Sequence, residues 1–198
     1  MPNPAKNTID AARRGEEARH VVHDLAVIRA CEVPEGALLR KYLSDGAYAD
    51  CYATEVAGHT SRAEFIEAFY TTRLFKLERL VLSLLAARPC TDEQVRQLAA
   101  GNRTSLAAWV VEDRAENQLL LSDFTGRTRS WLMNRPSPNL TSTELFFGSA
   151  VIPVVNERTG KAALGVSFRA LLGFHKLYSR ALLRAAVNRL AQTRSDRQ

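Results

Sequence analysis

The stretch LAAWVVEDRAENQLLLSDFTGRTRSWLMNRPSPNLTSTELFFGSAVIPVV, residues 106–155, decides the fold. Its residues alternate with a period of two, which is typical of β-strands, whereas the sequence before it follows the longer period of helices. Turns such as DRAEN and Thr125-Gly126 divide it into four segments. Because turns this short favour pairing between neighbours, the stretch predicts a run of antiparallel strands. Gly148 is expected to form a bulge in the last of them.

One further strand and several helices are predicted before this run. In AYADCYATEV, residues 47–56, aromatic residues at every second position favour a strand. Ser61 is followed three residues later by Glu64, and this capping box begins a helix. A more apolar helix is expected from about residue 73 to residue 88, and a short one begins at Thr91.

The sequence FHKLYSRALLRAAVNRLAQ, residues 174–192, predicts a long C-terminal helix. Its buried side is expected to consist of residues at helical spacing: Phe174, Leu177, Tyr178, Ala181, Leu182 and Ala185. Antiparallel strands need a cover on their apolar face, and this helix is the long amphipathic element available. The sequence therefore predicts an α+β fold of the helix-grip kind, in which a curved antiparallel sheet wraps around the C-terminal helix. A curved sheet around a straight helix leaves an apolar gap, and such gaps bind apolar ligands.

Three segments of the sequence resemble those of a known family: YLSDGAYADCYATEV, FIEAFYTTRLFKLERLVLSLLAAR and GFHKLYSRALLRAA. Over residues 33–190 the chain resembles an uncharacterised bacterial family of START-like (SRPBCC, helix-grip) proteins. The resemblance implies the helix-grip fold and a cavity, and it implies no reaction. The segment LLLSDFTGRTRSWLMNR departs from the family, which has a more acidic turn and a histidine at this point.

Length and composition predict one globular domain. The chain has 198 residues, of which 46% are hydrophobic and 24% charged. Residues 1–24 are interpreted as a flexible or loosely docked arm, residues 25–192 as a single START-like domain, and residues 193–198 as a polar tail. Since the sequence has neither a secretory h-region nor a run of 18 apolar residues, a cytoplasmic protein without membrane insertion is expected.

The net charge of +6 does not by itself identify a partner. Part of the excess lies in the terminal segments, and the sequence has no zinc-finger, RNP or helix-turn-helix motif, so no nucleic-acid partner is predicted. Metal and cofactor sites are not predicted either, because zinc-protease, EF-hand and glycine-rich phosphate motifs are absent. Three cysteines without a C-x-x-C spacing predict neither a disulfide framework nor a zinc site. Cys51 is interpreted as a small buried hydrophobic residue.

Two residues are candidates for acid–base chemistry. His175 lies where the C-terminal helix begins, and it either faces the cavity or holds the junction by bonding to a loop carbonyl. Asp50 shares one strand face with Tyr48 and Tyr52, and this face is either directed into the cavity or forms a solvated edge. On a later strand, Arg129 belongs to a row of arginines that is either an anion clamp or an outer face.

These observations favour a binding protein for a small hydrophobic or amphipathic molecule, held between the sheet and the C-terminal helix. The lining is expected to come from Tyr48, Tyr52, Trp109, Trp131, Phe146, Phe147, Val151, Leu177 and Tyr178, about half of which will face outward because strand neighbours alternate. One alternative is an enzyme of cyclase, dehydratase or hydrolase type in the same cavity, using His175 and Asp50. Another is a protein-interaction module whose core is filled. The ligand and the oligomeric state do not follow from the sequence.

Overall fold

The computed structural model describes residues 27–43, 47–76, 90–155, 162–163 and 166–196. The predicted N-terminal arm and most of the helix predicted from residue 73 lie outside these ranges. The main strands are β1 (Arg29–Ala30), β2 (Tyr48–Ala57), β3 (Ser105–Leu106), β4 (Trp109–Ala115), β5 (Gln118–Asp123), β6 (Thr128–Pro136) and β7 (Ser142–Val151). The helices are α1 (Arg62–Tyr70), α2 (Asp92–Ala99) and α3 (Val166–Ser195), with a 3-10 helix at Leu38–Tyr42. Two short strands, β8 (Val154–Val155) and β9 (Ala162–Ala163), pair with each other.

The fold is α+β, as the sequence predicts, with a seven-stranded curved antiparallel sheet and a C-terminal helix. The strand order is β1-β2-β7-β6-β5-β4-β3, so β4 to β7 form a meander of neighbours. The long strand β2, which comes first of the long strands in the chain, pairs with the last, β7, over its full length. This pairing places β2 and β7 side by side beneath α3, which contacts both strands.

Both faces of the sheet are buried. On one face, α1, α2 and α3 cover a core that includes Leu132 and Phe147. On the other face, residues 33–42 lie over a second core built around Trp131. Gln118 fastens this N-terminal segment to the sheet, because its side chain accepts hydrogen bonds from the Leu38 amide and the Trp131 indole and donates one to the Gly36 carbonyl.

The helix starts follow the sequence closely. Ser61 accepts a hydrogen bond from the backbone N–H of Glu64, whose side chain bonds back to the backbone of Ser61. Thr91 and Gln94 form the same reciprocal pair at the start of α2. Each box satisfies N–H groups that a helix terminus would otherwise leave without partners. The predicted capping box and the short helix after Thr91 are therefore confirmed.

The predicted bulge at Gly148 is wrong. Gly148 pairs regularly with Cys51 on β2 and with Trp131 on β6. The glycine instead makes room for side chains, because a Cβ atom there would lie 2.7 Å from Leu39 Cδ2. The register shift of this sheet lies in β4, between Val111 and Asp113.

The predicted buried side of α3 is partly wrong. Phe174, Leu177 and Ala181 are exposed, and the buried positions include Leu182, Leu183, Ala186 and Leu190. The helix is rotated so that its small and leucine residues meet α1 and the sheet.

Helix α3 also extends to Ser195, into the predicted polar tail. There Arg194 donates hydrogen bonds to the carbonyls of Ala57 and His59 and to the Thr60 hydroxyl. These bonds tie the end of α3 to the turn after β2.

Candidate functional site

A cavity of about 150 Å³ lies between the sheet and α3. Its lining residues are Phe69, Phe75, Trp109, Thr128, Arg129, Ser130, Phe147, Ser149, His175, Tyr178, Ser179 and Leu182. Apart from Phe75, which follows α1 in the chain, the lining residues come from α1, β4, β6, β7 and α3. The gap expected between the sheet and the C-terminal helix is therefore present.

Local geometry explains how these side chains converge. On β7, Phe147 and Ser149 point to the same face because strand side chains alternate. Ser130 on β6 is the register partner of Ser149. On α3, His175 and Ser179 are one helical turn apart, a spacing that places both on the side facing the sheet.

The cavity has an aromatic wall. The ring centroids of Phe69 and Phe147 lie 4.8 Å apart, and those of Phe69 and Phe75 lie 6.1 Å apart. Trp109 and Tyr178 add two amphipathic rings to the lining. Aromatic rings at these separations interact favourably with one another, and a ligand ring packed against them would gain contacts of the same kind.

One residue of the lining also has a buried N–H group without an acceptor. Trp109 is 8% exposed, and its indole Nε1 has no hydrogen-bond partner among the described residues. A buried N–H without an acceptor costs about 1–3 kcal/mol. Trp109 is thus a lining residue with unused donor capacity.

Polar side chains meet where α3 crosses β2 and β7. Ser149 Oγ lies 2.6 Å from Asp50 Oδ1 and 2.8 Å from His175 Nε2. His175 Nε2 lies 3.5 Å from Asp50 Oδ2. The two acid–base candidates therefore come together, joined by a serine that belongs to the cavity wall.

The Ser149 hydroxyl links His175 to Asp50, and its own bond determines the donor and acceptor roles along these three side chains. Ser149 has one hydroxyl proton, which it donates to the Asp50 carboxylate. With the Ser149 hydroxyl directed at Asp50, the tautomer of His175 that completes the chain is the one with a proton on Nε2, 2.8 Å from Ser149 Oγ. A serine nucleophile needs the opposite arrangement, in which histidine takes the serine proton. The cluster is consequently a donor chain from His175 to Asp50 rather than a serine nucleophile with its base.

Two tyrosines flank Asp50 on the face of β2 that meets α3. The Tyr48 hydroxyl lies 3.5 Å from Asp50 Oδ2, and its ring contacts the His175 ring edge-on. Burial and the Asp50 charge raise the pKa of Tyr48. The same two causes raise the pKa of Tyr52 to about 12, against the opposing charge of Arg180. Both phenols therefore stay protonated at neutral pH and remain hydrogen-bond donors.

The predicted lining residues separate into three groups. Trp109, Phe147 and Tyr178 line the cavity, as does His175. Tyr48, Tyr52 and Val151 lie on strands beside it but are outside its lining.

The remaining predicted residues lie elsewhere. Trp131 and Phe146 belong to the core on the opposite face of the sheet, so the expectation that they line this cavity is wrong. Leu177 is 68% exposed and does not line it either. The first error arises because β6 and β7 have apolar residues on both faces. The second arises from the rotation of α3.

Sequence reasoning missed Ser149, although it has the same parity as Phe147 and Val151 on one strand. That parity is the signal that would have found it. Phe69 and Phe75 were missed as cavity residues because their contact with the sheet depends on how α1 and the following segment dock.

Arg129 of the β6 arginine row contributes to the cavity lining, but its guanidinium points to the opposite face of the sheet. The Arg129 guanidinium bonds to Tyr42 and Glu112, and Arg135 pairs with Glu144 at 2.7 Å. These ion pairs favour the outer-face interpretation of the arginines over the anion clamp.

Two larger grooves, of about 230 and 470 Å³, lie along α3 and share Thr71 and Arg189. Their linings have none of the aromatic rings or the histidine of the cavity. Within the described residues, no group of histidine, cysteine or acidic side chains is arranged to hold a metal ion. No helix in this part of the chain is both long and apolar enough to cross a membrane.

No protein-family model and no curated protein matches this chain. Among solved structures, it is similar to the C-terminal domain of protein DR_A0006 from Deinococcus radiodurans, determined in solution by NMR. The two are 14% identical, and the similarity covers 68% of this chain and 93% of that chain with a TM-score of 0.23. A similarity this weak supports no argument about fold or function.

Proposed function

We propose that this protein binds a small amphipathic molecule in the cavity between the sheet and α3. The observation that carries this proposal is the composition of the lining, in which an aromatic wall is combined with a few polar groups. Ligand sites have this composition, because apolar contacts supply affinity and a few polar groups set orientation. The helix-grip arrangement, with its cavity under the C-terminal helix, is part of the same proposal.

The size of the cavity limits the ligand. A cavity of about 150 Å³ is large enough for a single ring with a short substituent. Long-chain lipids exceed this volume. We therefore infer a compact molecule, with one ring placed against Phe69 and Phe147.

The polar groups of the lining indicate which substituent the ring of the ligand carries. The Trp109 indole N–H has no protein acceptor among the described residues, so a ligand with a carbonyl or another acceptor is favoured. Ser149 and His175, which are hydrogen-bonded to each other, add a polar edge to the cavity wall. The cytoplasmic location and the lack of a nucleic-acid partner stay predictions.

The test uses two probes of nearly equal shape. Acetophenone has a ring and a carbonyl acceptor, whereas ethylbenzene has the ring alone. The full chain is titrated with each probe, and binding is measured by calorimetry and by the indole N–H signals in NMR. Acetophenone should bind more tightly than ethylbenzene. The Trp109 signal should move on binding, and the Trp131 signal should not. Native mass spectrometry of the purified protein identifies any ligand that copurifies.

Two results would contradict the proposal. One is a cavity that takes up neither probe at millimolar concentration while the chain is folded. The other is equal affinity for the two probes without a change at Trp109.

The chain of Asp50, Ser149 and His175 supports a second candidate, an acid–base enzyme acting on the same ligand. A histidine at the cavity wall can exchange a proton with a bound molecule, and Ser149 connects it to a carboxylate. Such an enzyme would abstract a proton next to a carbonyl group or deliver one to a leaving group.

This second candidate is tested by deuterium incorporation into the methyl group of acetophenone in D₂O. A catalytic His175 predicts exchange that is faster than in buffer and is lost in His175→Gln. His59→Gln is the matched control, because His59 is exposed and lies outside the cavity. Equal exchange rates in the wild type and in His175→Gln would remove the catalytic role and leave the binding function standing.

A further inference from the structure

Two cysteines lie side by side on the face of the sheet that is turned away from the cavity. Cys31 follows β1 directly opposite Cys51 of β2, and its backbone N–H donates to the Cys51 carbonyl at 3.0 Å. Their sulfur atoms are 3.3 Å apart and hydrogen-bonded. Both are free thiols, of which Cys51 is 3% exposed and Cys31 half-buried.

The environment makes the two thiols unequal. The hydrogen bond with Cys51 lowers the pKa of Cys31, and the charge of Arg29 lowers it further, against the effect of burial. The same hydrogen bond and burial raise the pKa of Cys51. Cys31 therefore loses its proton more readily than Cys51 and is also the more accessible of the two thiols. Cys51 stays protonated beside it.

We propose that Cys31 and Cys51 form a dithiol site that hydrogen peroxide oxidises to a disulfide. This site is separate from the cavity and does not depend on the proposed ligand. The direct opposition of the two residues and the short distance between their sulfur atoms carry the proposal.

The reaction balances in two steps. The Cys31 thiolate attacks one peroxide oxygen, the O–O bond breaks, and the departing hydroxide takes up a proton to give water. Cys31 is then a sulfenic acid. The Cys51 sulfur attacks the Cys31 sulfur, an S–S bond forms, the S–O bond breaks, and the hydroxide leaves as water with the Cys51 thiol proton. In total, two thiols lose two electrons to one peroxide and two waters form.

The geometry requires a small movement. A disulfide has an S–S distance of about 2.05 Å, so the sulfur atoms must approach by about 1.2 Å. Side-chain rotation and a slight shift of the edge strand β1 can provide this. The bond would attach the chain covalently to β2 two residues before the N-terminal segment, residues 33–42.

The experiment treats the full chain with a small excess of hydrogen peroxide and then alkylates the remaining thiols. Wild type should lose the mass of two hydrogen atoms and keep one alkylatable cysteine, Cys90. Peptide mapping without reductant should find Cys31 linked to Cys51. Cys31 should react roughly tenfold faster than Cys90. The oxidised protein should have a higher Tm than the reduced protein.

Three variants separate the steps, and each is first checked for folding by circular dichroism. Cys51→Ser should stop at a sulfenic acid on Cys31, which dimedone labels. Cys31→Ser should form no intramolecular disulfide. Cys90→Ser is the matched control and should react like wild type.

The wild-type experiment alone decides the proposal if a variant does not fold. Oxidation that begins at Cys90 overturns the proposal. So does overoxidation of Cys31 to a sulfinic acid while Cys51 remains a thiol, or a peptide map without the Cys31–Cys51 link.

Discussion

Gly148 lies directly opposite Trp131 in the register of β6 and β7, and the missing side chain of Gly148 is what admits the Trp131 ring. A Cβ atom on Gly148 would be 3.0 Å from the ring and 2.7 Å from Leu39 Cδ2. The Trp131 indole N–H in turn donates to Gln118, which holds the N-terminal segment. One glycine thus permits the contact that fastens residues 33–42 onto the sheet.

The first prediction concerns this glycine. Gly148→Ala should lower the free energy of unfolding by about 1–3 kcal/mol, because overpacking forces Leu39 or Trp131 to move. Chemical denaturation followed by circular dichroism measures the change. Gly173→Ala is the matched control, since Gly173 lies in α3 with open space around its Cβ position. There the same substitution should raise the free energy of unfolding by up to about 1 kcal/mol. Equal effects at the two glycines would contradict this account.

The second prediction concerns Gln118, which bonds to the Trp131 indole, the Leu38 amide and the Gly36 carbonyl. Gln118→Leu should lower the free energy of unfolding by about 2 kcal/mol or more, because two donors and one acceptor lose their partner in a buried place. Gln97→Leu, on the exposed side of α2, should change it by less than about 0.5 kcal/mol. Urea denaturation of the two variants provides the comparison, and a small effect at Gln118 would show that the N-terminal segment is held by other contacts.

The order of elements could be predicted because local signals specify it. The period of two from Ser105 onward gave the strands, and Ser61 with Glu64 gave the start of α1. Such patterns depend on neighbouring residues alone, so they need no knowledge of the tertiary fold.

The faces of the strands could not be predicted to the same degree. Trp131 and Leu132 are both fully buried, on opposite faces of β6. A sheet covered on both faces loses the alternation of apolar and polar residues that would identify the core side. The side chains of Trp131 and Phe147 lie on opposite faces of the sheet, and only the register of β6 and β7 reveals this, because Trp131 pairs with Gly148 and Leu132 pairs with Phe147.

Contacts between residues that are far apart in the chain could not be predicted from the sequence either. Cys31 and Cys51 are opposed because β1 pairs with β2 in one particular register. A shift of one residue would move each side chain to the other face. Nothing in the spacing of the two cysteines specifies that register.

The third prediction concerns acid sensitivity. Burial raises the pKa of Glu112, but hydrogen bonds from Lys41 and Tyr42 and the charge of Arg129 lower it by more, so that it lies below its ordinary value. A carboxylate with a depressed pKa in the folded state stabilises the protein above its ordinary pKa, and this stabilisation is lost as the pH falls.

The free energy of unfolding of wild type should therefore fall more steeply between about pH 5 and pH 3 than that of Glu112→Gln. At pH 7, Glu112→Gln should be less stable than wild type by about 1 kcal/mol. Glu116→Gln, in the turn between β4 and β5, is the control and should have the wild-type pH dependence. Parallel curves for wild type and Glu112→Gln would show that the ion pairs of Glu112 contribute nothing.

The last prediction uses the two tryptophans, which lie on opposite faces of the same sheet. Trp109 lines the cavity, and its N–H has no acceptor among the described residues, whereas the Trp131 N–H is bound to Gln118. Trp109→Phe keeps an aromatic ring and removes the donor. It should weaken acetophenone binding by about fivefold to tenfold, the value of one hydrogen bond, and leave ethylbenzene binding nearly unchanged.

Trp131→Phe is the matched control, since it removes an indole N–H that the cavity does not contain. It should lower the free energy of unfolding, because Gln118 loses a donor, but the ratio of the two probe affinities should stay at the wild-type value. Calorimetric titration of the wild type and both variants with both probes gives the six affinities needed. If Trp109→Phe left that ratio at the wild-type value, the acceptor of the ligand would not bond to Trp109, and the orientation proposed for the bound molecule would be wrong.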